Sequence, residues 1–533
     1  MNLRFDFFSL WIVVLMLVAG CKKSNSVSQS RGPQAVVAAS PDTAIRIQWL
    51  GRRQLDYDAG AYYFSRVWSL PETKVLQQQT FDKLATNLWH ILLGDTVGAQ
   101  IPSSALRPLF EDLALEESYF ELRVPTNAQA LEWCFAMHVS DRHAGTWVTN
   151  MAVAAQFLTG GSATPEPAIH GWTIQGAKSA QHAMVSHLGE WIIVAAGPAK
   201  NPLFDEVAGR VFHDGALVPR GPTNFWLDVD IHLDRASQVF PSFAKIDPNL
   251  SRVQFKVTGD GSHVITEGHA TFSQPLSTAL DAWHVPTHLI HEPLVSVTSI
   301  RGVQPILAKW KLWNDLQLGT PPDQLFFWSM TNSPFNTYLA APSASAEHHI
   351  STLTDFLLQQ GNQWLAKNGY IDFHRAPDSN GVVWGNVPTV TPFIRAAGGS
   401  NERWLYAGLL PQPASNLDAS LPDQWLQTLN QQTNLVYYDW ELTGQMLPAR
   451  LSLLQTARQI GRAPQMATDS ESLNWLGVLI PRLGPSETTI KQTGPSELAF
   501  HRKSTVGFTA IELHLLADWL ESSQFPRGLH SAP

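Results

Sequence analysis

Thr223–Phe240 reads TNFWLDVDIHLDRASQVF, and Thr433–Leu451 reads TNLVYYDWELTGQMLPARL. Each opens on Thr-Asn, runs through alternating residues and gives way to a helix-compatible segment. In the first, Phe225, Leu227, Val229, Ile231 and Leu233 alternate with Trp226, Asp228, Asp230, His232 and Asp234, the period of a half-buried strand. Two further strand-then-helix segments begin near Ile45 and Leu294, so four segments share one plan. The expectation is a duplicated α+β fold, with antiparallel sheets covered on one face by helices. Chance similarity of strand-helix units is the competing explanation.

The neighbouring sequence agrees with mixed architecture. LPETKVLQQQTFDKLATNLWHILLG carries Phe81, Leu84, Leu88 and Ile91 at helical spacing and stops at Gly94. RVQFKVTGDGSHVITEGHATF predicts a hairpin turning at Asp260-Gly261, and SETTIKQTGPSELAFHR predicts another. Thr509 and Glu512 form a capping box for a last helix, whose Leu513, Leu516, Ala517 and Leu520 line one face. QPLSTALDAWHVPTHLIHEP has three prolines and weak periodicity, which predicts a boundary within residues 275–293. The organisation read from sequence is a signal peptide (1–20), a tether (21–44), two α+β regions (45–285 and 286–522) and a tail (523–533).

The 533 residues are 44% hydrophobic and 15% charged, a globular balance. Net charge is −9 and no basic stripe is present, so nothing supports nucleic-acid binding. Phe7–Gly20 has the length of a signal-peptide core and is shorter than the ~20 apolar residues of a comfortable membrane span. Val18-Ala19-Gly20-Cys21 resembles a bacterial lipobox, which implies cleavage before Cys21 and acylation of its thiol and new amino terminus. Lys22 stands where an aspartate commonly signals inner-membrane retention, which favours the outer membrane. The Ser/Ala/Gln/Pro-rich stretch after Cys21 predicts a flexible tether. An uncleaved signal anchor flanked by Lys22 and Lys23 is the alternative.

Several stretches, among them YFSRVWSLPETKVLQQQTFDKLA, LIHEPLVSVTSIRG, LWNDLQLGTPPDQLFFWSM, TNLVYYDWELTG and RKSTVGFTAIELHLLADWLES, resemble uncharacterised lipoproteins and secreted proteins of Verrucomicrobia-type bacteria. That resemblance implies an envelope location. It implies no activity, cofactor or catalytic residue.

Asp228, Asp230 and His232 are the candidate metal ligands, because alternation puts them on one face at ~6.5–7 Å spacing. A solvent-facing strand explains the same pattern with fewer assumptions. His284, His288, His291 and Glu292 give HxxHE, not the HExxH of a zincin, and Pro286 and Pro293 oppose a helix there. His348-His349 reads as an exposed helix start. Cys134, left without a disulfide partner once Cys21 is acylated, reads as a buried thiol; His138 shares its face four residues on. Trp310, Trp313 and Trp328 read as core, with an exposed binding surface as the alternative. There is no G-x-S-x-G elbow and no phosphate loop, and no cofactor is implied. The sequence therefore predicts a lipid-anchored protein that binds or scaffolds at the periplasmic face, with the membrane and possible envelope proteins as partners. A hydrolase without a linear signature and a subunit of an envelope assembly are the alternatives.

Overall fold

The computed structural model describes residues 40–526, apart from 94–102, 126–130, 177–181, 215–224, 241–242, 244–245, 277–279, 331–334, 368–373, 379, 388, 399–402, 412–422, 461–469 and 524. Cys21 and the tether to residue 39 lie outside the described residues. The chain divides into two compact units. The first comprises Met1–Gln274, Glu471–Trp475 and Ala517–Pro533, and the second Pro275–Ser470 and Leu476–Leu516.

In the first unit the strands are β1 (Thr43–Trp49), β2 (Ser118–Arg123), β3 (Glu132–His138), β4 (Ser162–Glu166), β5 (Gly171–Gln175), β6 (His182–Leu188), β7 (Trp191–Gly197), β8 (Leu227–His232), β9 (Leu250–Gly259) and β10 (Val264–Phe272). They pair in the order β4-β5-β6-β7-β3-β2-β1-β8-β9-β10, antiparallel throughout.

The second unit holds β11 (Leu294–Arg301), β12 (Gln324–Met330), β13 (Thr337–Pro342), β14 (His374–Asp378), β15 (Gly381–Gly385), β16 (Phe393–Gly398), β17 (Arg403–Gly408), β18 (Leu435–Leu442), β19 (Pro485–Gly494) and β20 (Glu497–Ser504). Their order is β14-β15-β16-β17-β13-β12-β11-β18-β19-β20, again antiparallel. Adding ten to each strand number of the first sheet reproduces the second. The repeat is therefore a ten-strand unit used twice, and the four strand-helix segments legible in the sequence are β1, β8, β11 and β18.

Helices occupy matching places. Asp141–Thr159 follows β3 and Ala346–Lys367 follows β13; Pro202–Asp214 precedes β8 and Asp423–Gln431 precedes β18. Leu233–Val239 starts directly after β8, and Thr443–Ile460 directly after β18. Gly51 and Gly302 come two residues and one residue after β1 and β11, with φ of +87° and +74°. A left-handed residue there turns the chain off the sheet edge, and a Cβ on Gly51 would sit 2.5 Å from the Glu116 carbonyl carbon.

These landmarks fix one register for both repeats. Arg46 opposes Asp230 and Glu121, while its counterpart Val297 opposes Trp440 and Trp328. Extended across the strands, one row reads Asp230, Arg46, Glu121, Cys134, Ala195; its counterpart reads Trp440, Val297, Trp328, Tyr338, Gly408. On the other face the row Val229, Ile47, Phe120, Phe135, Val194 answers to Asp439, Thr298, Phe327, Leu339, Ala407. The two sheets share a frame, and polarity near β1/β8 and β11/β18 has moved to the opposite side of the pleat. A one-residue change of phase in the side-chain pattern does this without altering a hydrogen bond of the backbone.

The cores follow. In the second unit Phe326, Trp328, Tyr338, Phe393, Trp404, Tyr406 and Tyr438 form an aromatic core capped by Trp425 and Leu429. Trp328 and Tyr406 stack with planes 3° apart and centroids 5.8 Å apart. The matching face of the first unit packs Cys134, Ala136, Ile193 and Ala195 under Phe204, Val207 and Val211. The long helices take the reverse face, as the contact of Trp147 with Phe135 shows. Short helices thus lie on the face opposite the long ones.

A set of pinning bonds completes each unit. Arg301 is 2% exposed. It donates to the carbonyls of Leu435 (2.6 Å), Asp281 (2.5 Å) and Thr433 (2.5 Å), and stacks 4.7 Å from the Trp283 ring. It ties the proline-rich stretch to the start of β18. In the first unit Lys83, on the Pro71–Leu93 helix, donates to the carbonyls of Leu520 (2.6 Å) and Glu521 (3.1 Å). Asn87 donates to those of Ser523 (3.0 Å) and Phe525 (2.7 Å). A cation thereby caps the exposed carbonyls at the end of the Ala510–Glu521 helix.

Candidate functional site

The polar face of the first sheet is built by strand alternation from β8, β1 and β2, with the Pro202–Asp214 helix laid across its far end. Asp228, Asp230 and His232 do share that face. Their cross-strand neighbours are Lys256, Gln254 and Arg252 on one side and Gln48 and Arg46 on the other. Asp230 is 1% exposed, so the expectation of a solvent-facing carboxylate fails there. Arg252 grips it through two bonds of 2.9 and 2.8 Å, and Arg46 stands 3.7 Å away. His232 lies 3.8 Å off. Burial works to raise the Asp230 pKa, but hydrogen bonds and charge from Arg252 outweigh it and hold the carboxyl below its ordinary value. Asp228 has no such grip, and burial pushes it up. Burial also lowers His232. Among the described residues no three His, Cys, Asp or Glu side chains converge as metal ligands.

One strand further on, Glu121 is the hub of a second group. Its carboxylate accepts from Thr43 Oγ1 (2.8 Å), Tyr119 OH (2.5 Å) and Arg123 Nε (2.7 Å). Arg123 also donates to Glu206 at 2.7 Å, and Arg210 bonds Glu206 and lies over the Tyr119 ring. Burial alone would raise Glu206; the two guanidiniums more than offset it and leave it lowered. Tyr119 is pushed far up by burial and then by the Glu121 charge, so it stays a neutral donor. Cys134 sits opposite Glu121 in the register and is fully buried. Burial and the Glu121 charge raise its thiol far above the range in which a thiolate forms, so it is a poor nucleophile. His138 pairs with Glu190 at 3.0 Å and meets the Trp191 ring edge-on. The structure does not bring Cys134 and His138 together.

In the second unit the polar residues lie beneath helices. Asp439 accepts from Thr298 Oγ1 at 2.6 Å. Glu441 accepts from the Ala510 amide (2.6 Å), at the start of the Ala510–Glu521 helix, and from Thr443 Oγ1 (3.0 Å). A carboxylate at a helix N-terminus meets the positive end of the dipole. Burial nevertheless raises both carboxyls above their ordinary values. Arg502 bonds Thr488 (3.0 Å) and Glu512 (2.7 Å), and Glu512 closes the expected capping box on the Thr509 amide at 2.9 Å.

The remaining candidates separate. His284 and His288 are exposed, whereas His291 is buried and bonds the His288 carbonyl at 3.1 Å. His348 is exposed as expected. His349 is not: it is 4% exposed, with Nδ1 2.9 Å from Ser343 Oγ and Nε2 2.6 Å from the Leu318 carbonyl. Those bonds pull it into the sheet edge, and the helix start at Ala346 leaves only one of the adjacent pair outside. The three tryptophans also differ. Trp328 is core, Trp313 is half-buried with Nε1 donating to the Gly319 carbonyl, and Trp310 is 53% exposed.

Tyr119, Glu121, Arg123, Glu206 and Arg210 escaped the sequence reading. Their signal is the alternation in SYFELR, where Tyr119, Glu121 and Arg123 fall on one side; their partner Glu206 is 83 positions from Arg123. No family model matches the chain. No curated protein and no solved structure matches it.

Proposed function

We propose that the protein is a lipid-anchored component of the cell envelope, facing the periplasm, whose duplicated body binds or scaffolds without catalysis. The lipobox-like Val18–Cys21 supports the location. The change of polar face between the repeats carries the molecular part of the reading. Asp230, Glu121, Asp439 and Glu441 are each bonded to side chains or amides of their own unit. In this reading, ionic groups select which face of a common frame is packed by aromatic residues.

The location is tested by Cys21→Ser, followed by metabolic labelling with a fatty-acid analogue. Loss of label and release from the membrane fraction are expected; unchanged labelling overturns the anchor. The non-catalytic part is tested by Asp439→Asn, Glu441→Gln and Cys134→Ala in a strain complemented for a deletion phenotype. Retained complementation is expected. A second reading, hydrolysis, is favoured by the raised Asp439 and Glu441 carboxyls, which resemble general acids. Loss of complementation by a folded Asp439→Asn or Glu441→Gln protein would establish it instead.

A further inference from the structure

β13 (Thr337–Pro342) hands the chain to the Ala346–Lys367 helix through Ser343, Ala344 and Ser345. Ser343 Oγ lies 2.9 Å from Nδ1 of His349, in the first turn of that helix. The other ring nitrogen, Nε2, lies 2.6 Å from the Leu318 carbonyl oxygen and 3.3 Å from Ser345 Oγ. A carbonyl can only accept, so the shorter contact assigns the ring proton to Nε2. Nδ1 is then the bare nitrogen, and the Ser343 hydroxyl donates to it. This is the arrangement of an activated serine: a hydroxyl on a base, with the base held in one tautomer by a third group.

The duplication separates what is general in this arrangement from what is particular. The Ser343 amide donates to the Arg403 carbonyl (2.9 Å) and the Val139 amide to the Glu190 carbonyl (2.8 Å), so Ser343 stands where the first unit has Val139. The first unit also pins a histidine from the first turn of its long helix: His143 Nδ1 meets Asp112 Oδ1 at 2.8 Å. Asp112 and Leu318 each stand six residues before the following strand, β2 and β12. Both units thus orient a histidine from the same connection, and the second adds a hydroxyl at the end of the neighbouring strand. Pinning the helix start does not need that hydroxyl, as His143 shows. Ser343, His349 and Leu318 are 8%, 4% and 2% exposed, and the Trp313 ring borders them, edge-on to His349 at 5.8 Å.

We propose that Ser343 accepts an acyl group from a carboxylic ester with a good leaving group, with His349 as the base. Ser343 Oγ bonds to the ester carbonyl carbon while its proton passes to His349 Nδ1. The tetrahedral adduct then breaks its bond to the leaving oxygen, which takes the proton from Nδ1 and departs as an alcohol. Ser343 is left as an ester and His349 is neutral again. The Ala346–Lys367 helix starts three residues after Ser343. First-turn amides have no partner inside a helix and carry the positive end of its dipole, so this helix start is the local source of stabilisation for the oxyanion. Burial of the three groups selects a small acyl donor. The proposal goes beyond the binding role given above and does not depend on the anchor; one retained acyl group per chain is compatible with that role.

The test uses the full-length protein in detergent and two probes. A fluorescent fluorophosphonate forms a P–O bond to an activated serine and releases fluoride; p-nitrophenyl acetate releases one nitrophenol per acylation. Expected are a single adduct, placed on Ser343 by fragmentation mass spectrometry, and a burst of about one equivalent of nitrophenol. Ser343→Ala should abolish both. His349→Gln should slow labelling about hundredfold or more. Ser345→Ala should leave it unchanged, because Ser345 meets the protonated nitrogen. Absence of an adduct, an adduct on Ser345 or elsewhere, or equal labelling of native and urea-unfolded protein overturns the proposal. Should a variant fail to fold, the mapped adduct and the native-to-unfolded comparison on the unsubstituted chain decide. Steady turnover of the acetate that Ser343→Ala abolishes upholds the serine and refutes the non-catalytic reading given above. A missing adduct together with retained complementation by the carboxylate variants refutes the serine alone.

Discussion

Glu121→Ala tests whether the buried ionic group holds the first sheet together. The side chain is 2% exposed and receives three bonds, from Thr43, Tyr119 and Arg123. Truncation leaves Arg123 with Glu206 as its remaining bonded carboxylate and strips Tyr119 of its acceptor. Removing one partner of a buried ionic group costs about 3–5 kcal/mol, chiefly because the other partner stays desolvated. Cys134 is a built-in reporter, since it lies opposite Glu121 and is fully buried. A thiol reagent reaches it only when this part of the sheet opens. If opening is fast relative to labelling, the rate scales with the opening equilibrium. A loss of 3–5 kcal/mol then accelerates labelling about 10²- to 10³·⁵-fold. Glu121→Gln, which keeps acceptor geometry for Thr43 and Tyr119, should accelerate it less. Acceleration below about tenfold for Glu121→Ala would show that the group is dispensable and refute the reasoning.

The second unit should respond to pH through Asp439 and Glu441. Their folded pKa values are raised, so the folded state holds protons more tightly and their stabilising effect is lost as pH rises from the unfolded toward the folded values. Asp439→Asn or Glu441→Gln should flatten this fall in thermal scans between mildly acidic and neutral pH; an unchanged slope assigns it elsewhere. Asp230 has the opposite sign, being lowered, so its contribution is lost as pH falls through its folded value, and Asp230→Asn should weaken acid unfolding of the first unit. Arg301→Ala should cost about 3–5 kcal/mol in urea unfolding, because three carbonyls lose a charged donor, and should expose residues 275–293 to proteases. Gly51→Ala should cost more than the ~1–2 kcal/mol of its positive-φ backbone, because the new Cβ also meets the Glu116 backbone, and this is read as a shift in urea midpoint.

Sequence pattern revealed the strands that carry their own alternation. Leu227–His232, the two hairpins, the Thr509–Glu512 capping box and the matching TNF/TNL openings were all legible, because each depends on residues close in the chain. The ten-strand repeat was legible only as its two most similar strand-helix pairs. The polarity face has changed both inside and outside those pairs: Ile231 stands where Glu441 stands in the TNF/TNL pair itself, and Glu121 where Trp328 stands. Comparison of residue types then hides what the backbone has kept. The partners of Asp230 were hidden for another reason. Arg46 is nearly two hundred positions away in the chain, and only strand order makes it a neighbour. Alternation alone cannot tell a carboxylate facing water from one facing an arginine. His349 went astray because the Leu318 carbonyl that receives it comes from a loop with no periodic signal.

The bonds from Lys83 and Asn87 to residues 520–525 bear on how the molecule is made. Their donors and acceptors are separated by 437 and 438 positions for Lys83. A chain synthesised amino end first presents the Pro71–Leu93 helix long before its capping segment is made. Throughout that interval the surface awaiting residues 517–525 is open to solvent and to other unfinished chains. Completion of the first unit is therefore coupled to the last stage of synthesis, and factors that hold unfinished chains would be needed most at the beginning of the chain and for longest.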